Sequence, residues 1–372
     1  MSWEETYTIW NKRPDLAPEV REDLDKIAND NEALEDAFYT PMEFGTAGMR
    51  GLIGAGINRM NIYTVRQATE GLARFMDTLD EETKLRGVAI SYDSRHMSQE
   101  FAFEAARVLG AHGIPSFVFE SLRPTPELSF TVRHLHAYAG IMITASHNPK
   151  QYNGYKIYGE DGAQMPPKES DMITNYIREV DDLFAVEVAD KDALINDNTL
   201  QVIGSEVDEV YLENAKEVTI DRELVAEEGK TMKLVFTPLH GTGGMLGEKA
   251  LRQAGFEDFT MVPEQAMPDP EFPTVEHPNP EFTEAFDLAI KLGKSQKADL
   301  LVAVDPDADR LGAAVRQPDG EYELLTGNQI AALMLNYILT ARKKAGNLPA
   351  NGALVKSIVS SEFAAKVAAD FG

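Results

Sequence analysis

The sequence has no cysteine, which excludes disulfides, thiolate nucleophiles and Cys-ligated zinc. A reducing, cytoplasmic location is the expectation that goes with this. It also lacks any apolar run approaching the ~20 residues that span a bilayer. Its first residues, MSWEETYTIWNKRPD, show no basic stretch followed by an apolar one. Neither a membrane span nor a signal peptide is therefore expected. Basic residues are in deficit: 35 Lys and Arg stand against 61 Asp and Glu, for a net charge of −26. Nucleic acid, which requires a basic face, is not an expected partner. An anionic ligand would have to be held locally, by Arg, Lys, backbone N–H groups and a metal gathered in one place. The acidic surplus then reads as a solvated outer surface.

What is present fits a folded protein of more than one domain. Of 372 residues 43% are apolar, spread along the chain, which predicts two or three α/β domains. A charged surface helix is predicted over 17–36, a glycine-dense loop over 44–56 (FGTAGMRGLIGAG) and a helix over 61–79. Short apolar strands then alternate with helical segments. GVAISYD, PSFVFE and AGIMITAS form one set. MKLVFTP, FTMV and ADLLVAVD form a second, with helices near 244–254 and 283–294. A third set opens with a helix at 327–343, a strand GALVKSIVS from Gly352 and a helix at 360–370. Continuous apolar runs of this kind suit sheets covered by helices on both faces. Candidate boundaries fall near 200–208 and at the turn 317–322.

Two loops carry chemistry, each directly after an apolar strand, where ligands collect in open α/β sheets. The first is Thr144-Ala145-Ser146-His147-Asn148-Pro149, with Lys156 ten residues beyond Ser146. It is not a nucleophile elbow, because Thr144 and Asn148 stand where glycines are required. The second is Asp305-Pro306-Asp307-Ala308-Asp309-Arg310. In an extended loop, side chains two apart point the same way, so three carboxylates would converge and repel unless a cation neutralises them. A hard divalent ion such as Mg²⁺ is the natural occupant. An EF-hand is ruled out, since its glycine and glutamate positions hold Arg310 and Arg316. Arg50, inside the glycine-dense loop, is suited to hold a phosphate. Two nucleotide-loop readings fail: the pattern from Gly241 meets Leu246 in place of its third glycine, and Gly293-Lys294-Ser295 has Leu288 where a P-loop needs glycine. A hydroxyl, a metal, an Arg and a Lys together suit phosphoryl transfer.

Five segments in order, FGTAGMRG, YDSRH, TASHNPKQYNGYK, TPLHGTGG and DPDADR, resemble the phosphoglucomutase/phosphomannomutase (α-D-phosphohexomutase) family, and most of all its phosphoglucomutase-2-like branch. The resemblance implies consecutive mixed α/β domains of related topology, with the active site in the cleft between them. It implies that Ser146 carries the phosphoryl group and that Asp305, Asp307 and Asp309 hold Mg²⁺ together with a phosphoserine oxygen. Lys156 matches a general base, His147 and Arg50 match residues near the phosphoserine, and Arg310 matches an arginine of the metal loop; Arg50, Lys156 and Arg310 would bind phosphate. The implied reaction moves a phosphoryl group between the C1 and C6 oxygens of glucose phosphate through a 1,6-bisphosphate, with glucose 1,6-bisphosphate as activator. Phosphomannomutase and phosphopentomutase activities are the near alternatives. A metal-dependent phosphatase, which would not need Ser146, is a further one, and a non-enzymatic sugar-phosphate sensor the last. Small sugar phosphates are the expected partners.

The domains implied are 1–205 with the serine loop, 206–320 with the metal loop, and 321–372 as the start of a third. The family's sugar-recognition loop of Gly-Glu-Ser type and its fourth, phosphate-binding domain have no counterpart in these residues. The expectation is therefore a C-terminally truncated chain, inactive or very slow by itself as a mutase.

Overall fold

The computed structural model describes residues 2–45 and 48–372; Thr46 and Ala47, within the glycine-dense loop singled out above, lie outside the described residues. The chain divides into two compact units, Met1–Asp208 with Asp269–Glu276, and Glu209–Pro268 with His277–Gly372.

The first unit begins with helices. The segment predicted as one helix over 17–36 is two, Pro18–Ile27 and Asn31–Phe38. The break is chemical: the Asp30 carboxylate accepts from the N–H groups of Glu32 and Ala33 and starts the second helix as its cap. Six strands follow: β1 (Met49–Leu52), β2 (Val88–Tyr92), β3 (Ser116–Phe119), β4 (Ala139–Ile143), β5 (Tyr152–Tyr158) and β6 (Leu200–Ile203). They form one sheet in the order β1-β5-β4-β2-β3-β6. β2, β3, β4 and β6 run parallel, while β5 returns antiparallel to β4 and β1 antiparallel to β5. Every residue of β2 and β4 is buried. On one face Ile90, Ile141, Ile143 and Tyr155 pack with the helices Ile62–Met76 and Ser98–Ala111. On the other Ala89 and Met142 meet Leu128 and Val132 of the helix Thr125–His134. The unbroken apolar runs thus have helices on both sides.

The second unit holds β7 (Leu234–Thr237), β8 (Phe259–Met261), β9 (Leu300–Val304), β10 (Leu311–Arg316) and β11 (Tyr322–Leu325), in the order β11-β10-β9-β7-β8. β7, β8 and β9 are parallel, and β10 and β11 return antiparallel. The turn at 317–320 closes the β10–β11 hairpin, with Gly320 in the left-handed region at φ 89°. The strand expected from Gly352 does not form: residues 352–357 have no strand pairing, and Val355 and Ile358 are 91% and 98% exposed. An apolar, β-branched run becomes a strand only where a sheet edge accepts its backbone. The helices Gly327–Lys344 and Glu362–Ala369 do form.

Candidate functional site

In the first unit the turn from β4 to β5 carries Ser146. Its backbone is left-handed, φ 54°, a conformation a β-carbon disfavours. Three neighbours hold it there. The Ser146 N–H donates to Thr144 Oγ1 (2.8 Å), and Thr144 Oγ1 donates to Asp93 Oδ2 (2.7 Å). From the loop after β2, Arg95 Nη2 donates to the carbonyl of Ser146 (2.6 Å). Ser146 Oγ and His147 Nδ1 are 3.3 Å apart. Ser146 and Lys156 are buried.

The strand register brings in two cations. Lys156 on β5 faces Met142 on β4, and Arg50 on β1 faces Gly154 on β5. With a side-chain period of two, Arg50 and Lys156 share one face of the sheet. Gly154 is glycine for a steric reason. A β-carbon there would lie 2.5 Å from the Thr144 carbonyl oxygen and 2.8 Å from that of Met49, so only glycine lets β1 and the serine turn close on β5.

In the second unit the β9–β10 connection is Asp305–Arg310. Alternation along an extended loop is not what gathers its carboxylates. The loop is a tight turn, with Ala308 left-handed at φ 53° and its N–H donating to the Asp305 carbonyl (2.9 Å). Curvature brings ligand atoms of Asp305, Asp307 and Asp309 within 4.8 Å of one another; the first two residues are buried and the third exposed. Three acidic oxygens at that spacing suit a hard divalent cation, and burying them without one is unfavourable. The Arg310 N–H donates to Asp305 Oδ1 (3.0 Å), while its guanidinium lies 3.8 Å from Glu281. The segment TPLHGTGG, which begins at the last residue of β7, supports this turn. Thr242 donates to the Pro306 carbonyl through its N–H (2.8 Å) and its Oγ1 (3.0 Å). A β-carbon on Gly241 would sit 2.3 Å from Pro306 Cα.

Two family descriptions match the chain: phosphoglucomutase/phosphomannomutase alpha/beta/alpha domain I over residues 41–183, and domain II over residues 209–320. The chain belongs to the phosphoglucomutase/phosphomannomutase family. It is 39% identical over 333 residues to phosphoglucomutases of Staphylococcus aureus strains N315 and USA300, an alignment covering 90% of this chain. The chain spans 58% of the length of those relatives. Among solved structures, the phosphoglucomutase pp63/parafusin of Paramecium superposes with TM-score 0.65 at 20% identity, over 89% of this chain and 62% of that one. A phosphoglucomutase/phosphomannomutase family protein of Burkholderia thailandensis gives 0.59 at 21%, over 80% and 58%. At such identities these two likenesses speak for the fold.

Within this phosphohexomutase fold, sequence reasoning gave no role to Asp93, Arg95 and Thr144. Asp93 is buried and accepts from Thr144, from Ser98 Oγ (2.8 Å) and from the Arg95 N–H (2.9 Å). Burial pushes its carboxyl upward, and the Arg95 guanidinium with these hydrogen bonds opposes that shift. Asp93-Ser94-Arg95-His96, after a fully buried strand, reads in the sequence as a charged turn. Among the described residues no helix is long and apolar enough to cross a membrane.

Proposed function

We propose that this protein catalyses phosphoryl transfer on a sugar phosphate, with Ser146 as the covalent carrier. The observation that carries the reading is a serine held in a left-handed turn at a strand end, in a chain of this family that also gathers three aspartates at the end of a second strand. In the proposed reaction the bond from phosphorus to Ser146 Oγ breaks as one forms to a sugar hydroxyl oxygen. The hydroxyl's proton goes to Lys156 as general base. The second phosphoryl group of the resulting bisphosphate then returns to Ser146, and the proton travels back. Arg50, Arg310 and His147 are assigned to phosphate recognition by hydrogen bonding. Asp305, Asp307 and Asp309 would hold Mg²⁺, which when bound neutralises charge on phosphoryl oxygens.

Glucose 1-phosphate and glucose 6-phosphate are proposed as the substrates, with glucose 1,6-bisphosphate as activator, because the Staphylococcus aureus relatives are phosphoglucomutases. The domain division 1–205, 206–320 and 321–372 belongs to the same reading and is supported by the matched regions, which end at 183 and 320. The test is mass spectrometry of protein incubated with Mg²⁺ and glucose 1,6-bisphosphate. One added phosphate mapped to Ser146 and absent from Ser146→Ala is the expected result. Turnover of sugar phosphate that persists in Ser146→Ala would replace the mutase with a phosphatase.

A further inference from the structure

We infer that Arg95 is a positioning residue for Ser146, and that residues 269–276 form a strap that keeps its guanidinium out of water. The inference rests on the reading of Ser146 as the phosphoryl carrier.

The Arg95 side chain is fully buried, and its Nε is 3.1 Å from Asp93 Oδ2. Its two terminal nitrogens donate to four carbonyl oxygens that encircle the serine turn. Nη2 reaches Ser146 and Asn148, both at 2.6 Å, and Nη1 reaches Pro149 at 2.9 Å and Tyr152 at 3.1 Å. One planar fork thus fixes the backbone of the left-handed residue and of the turn that follows it. A lysine ammonium, a point charge with three donors, cannot span that set. Arg95 therefore acts through the backbone that aims Ser146 Oγ. It also places a permanent positive charge beneath a group that would become dianionic on phosphorylation.

The strap closes this network. The Phe272 ring is buried, with Arg95 Cζ 5.0 Å from its centroid, and Phe272 is left-handed at φ 44°. Next to it the Glu271 carboxylate lies 2.6 Å from His96 Nε2 and accepts from Lys150 Nζ at 2.6 Å. His96 follows Arg95 and Lys150 follows Pro149, so Glu271 joins the two chain segments that the guanidinium joins from within. An aromatic lid over an arginine excludes water that would compete for its donors.

The experiment compares the full chain with Arg95→Lys, Arg95→Ala and Phe272→Leu. The rate of phosphate gain at Ser146 is followed by mass spectrometry with Mg²⁺ at graded glucose 1,6-bisphosphate, and amide exchange is followed in peptides covering 144–152. Both Arg95 variants should lose on the order of tenfold or more in the maximal rate. Their half-saturating bisphosphate concentration should stay at the wild-type value, because the lost contact aims the acceptor and does not bind the donor. Added guanidinium ion should restore part of the rate of Arg95→Ala, which a merely structural defect would not allow. Exchange across 146–152 should quicken in the Arg95 variants and, less, in Phe272→Leu. If Arg95→Ala does not fold, Arg95→Lys and Phe272→Leu carry the comparison. A wild-type rate with wild-type exchange in Arg95→Lys would overturn the inference. If the unmodified chain takes up no phosphate, the carrier role of Ser146 falls, and the exchange data alone then decide whether Arg95 holds the turn.

Discussion

The two units solve the same construction problem with opposite electrostatics. Each sheet contains one series of four neighbours, β5-β4-β2-β3 in the first and β10-β9-β7-β8 in the second. In each, the chemical loop leaves the last parallel strand just before an antiparallel return, and the loop after the first parallel strand supports it. In the first unit the support is a cation, Arg95, under a serine turn. In the second it is neutral: Thr242 donates to the Pro306 carbonyl, and Gly241 lets the two backbones touch. The difference follows from what each loop is proposed to carry. A hydroxyl that becomes a phosphate gains from fixed positive charge beneath it, whereas three carboxylates meant for a cation would lose affinity if a guanidinium neutralised them first.

The comparison breaks most visibly at the aspartates. Asp307→Ala removes one of three converging oxygens, and Mg²⁺ affinity should fall by about a hundredfold or more, read by titration calorimetry. The fold should survive, because deleting a buried like charge relieves repulsion in an ion-free turn. Unchanged Mg²⁺ binding would mean that the three carboxylates are not a metal site. Next in size is Gly241→Ala. Its new methyl would meet Pro306 backbone that no side-chain rotation can clear, so a loss of about 3 kcal/mol is expected in the unfolding of the second unit. Mg²⁺ binding should weaken alongside. A neutral substitution would show that the support under the aspartate turn is dispensable.

These same loops show what the sequence made legible. Ser146 and the three aspartates stood out because each follows a continuous apolar strand, and a strand end next to polar side chains is a local signal. Arg95 gave no such signal, since Asp-Ser-Arg-His reads as a charged turn until it is known that the side chain is buried. The strap was further out of reach, because Glu271 meets His96 across 175 residues of chain and no local period encodes that meeting. The misread strand from Gly352 has the same cause in reverse. Its composition favours β structure, but pairing depends on an edge elsewhere. The split at Asp30 has a local sign, an Asp cap within a run of charged helix formers.

A smaller effect tests the first unit's turn without touching its cation. Thr144→Val keeps the shape and removes the hydroxyl that accepts from the Ser146 N–H and donates to Asp93. Leaving a buried N–H and carboxylate oxygen without that partner should cost about 2 kcal/mol in the unfolding of the first unit. The equivalent hydroxyl at the end of β7, Thr237, accepts from the Leu239 N–H (3.1 Å) and donates to Gln265 Oε1 (2.7 Å). Its loss takes a partner from neutral groups only, so Thr237→Val should be the milder of the two. Equal losses would mean that the charge on Asp93 contributes nothing to the turn.

The smallest expected effect is the dependence of the strap on pH. Hydrogen bonds from Lys150 and then His96 hold the Glu271 carboxyl below its ordinary value of 4.5. A depressed carboxyl stabilises the folded contact fully above that ordinary value, and the contribution disappears as pH falls through the lower, folded value. The carboxylate is exposed to solvent, so screening keeps the contribution small. Amide exchange across 146–152 should be faster in Glu271→Gln than in the wild type at neutral pH, and the two should converge as the solution is acidified through the lowered value of the folded carboxyl. The absence of a gap at neutral pH would assign the strap's hold to the Phe272 ring over Arg95 instead of to the carboxylate. The charged support under Ser146 would then be sealed by apolar packing alone.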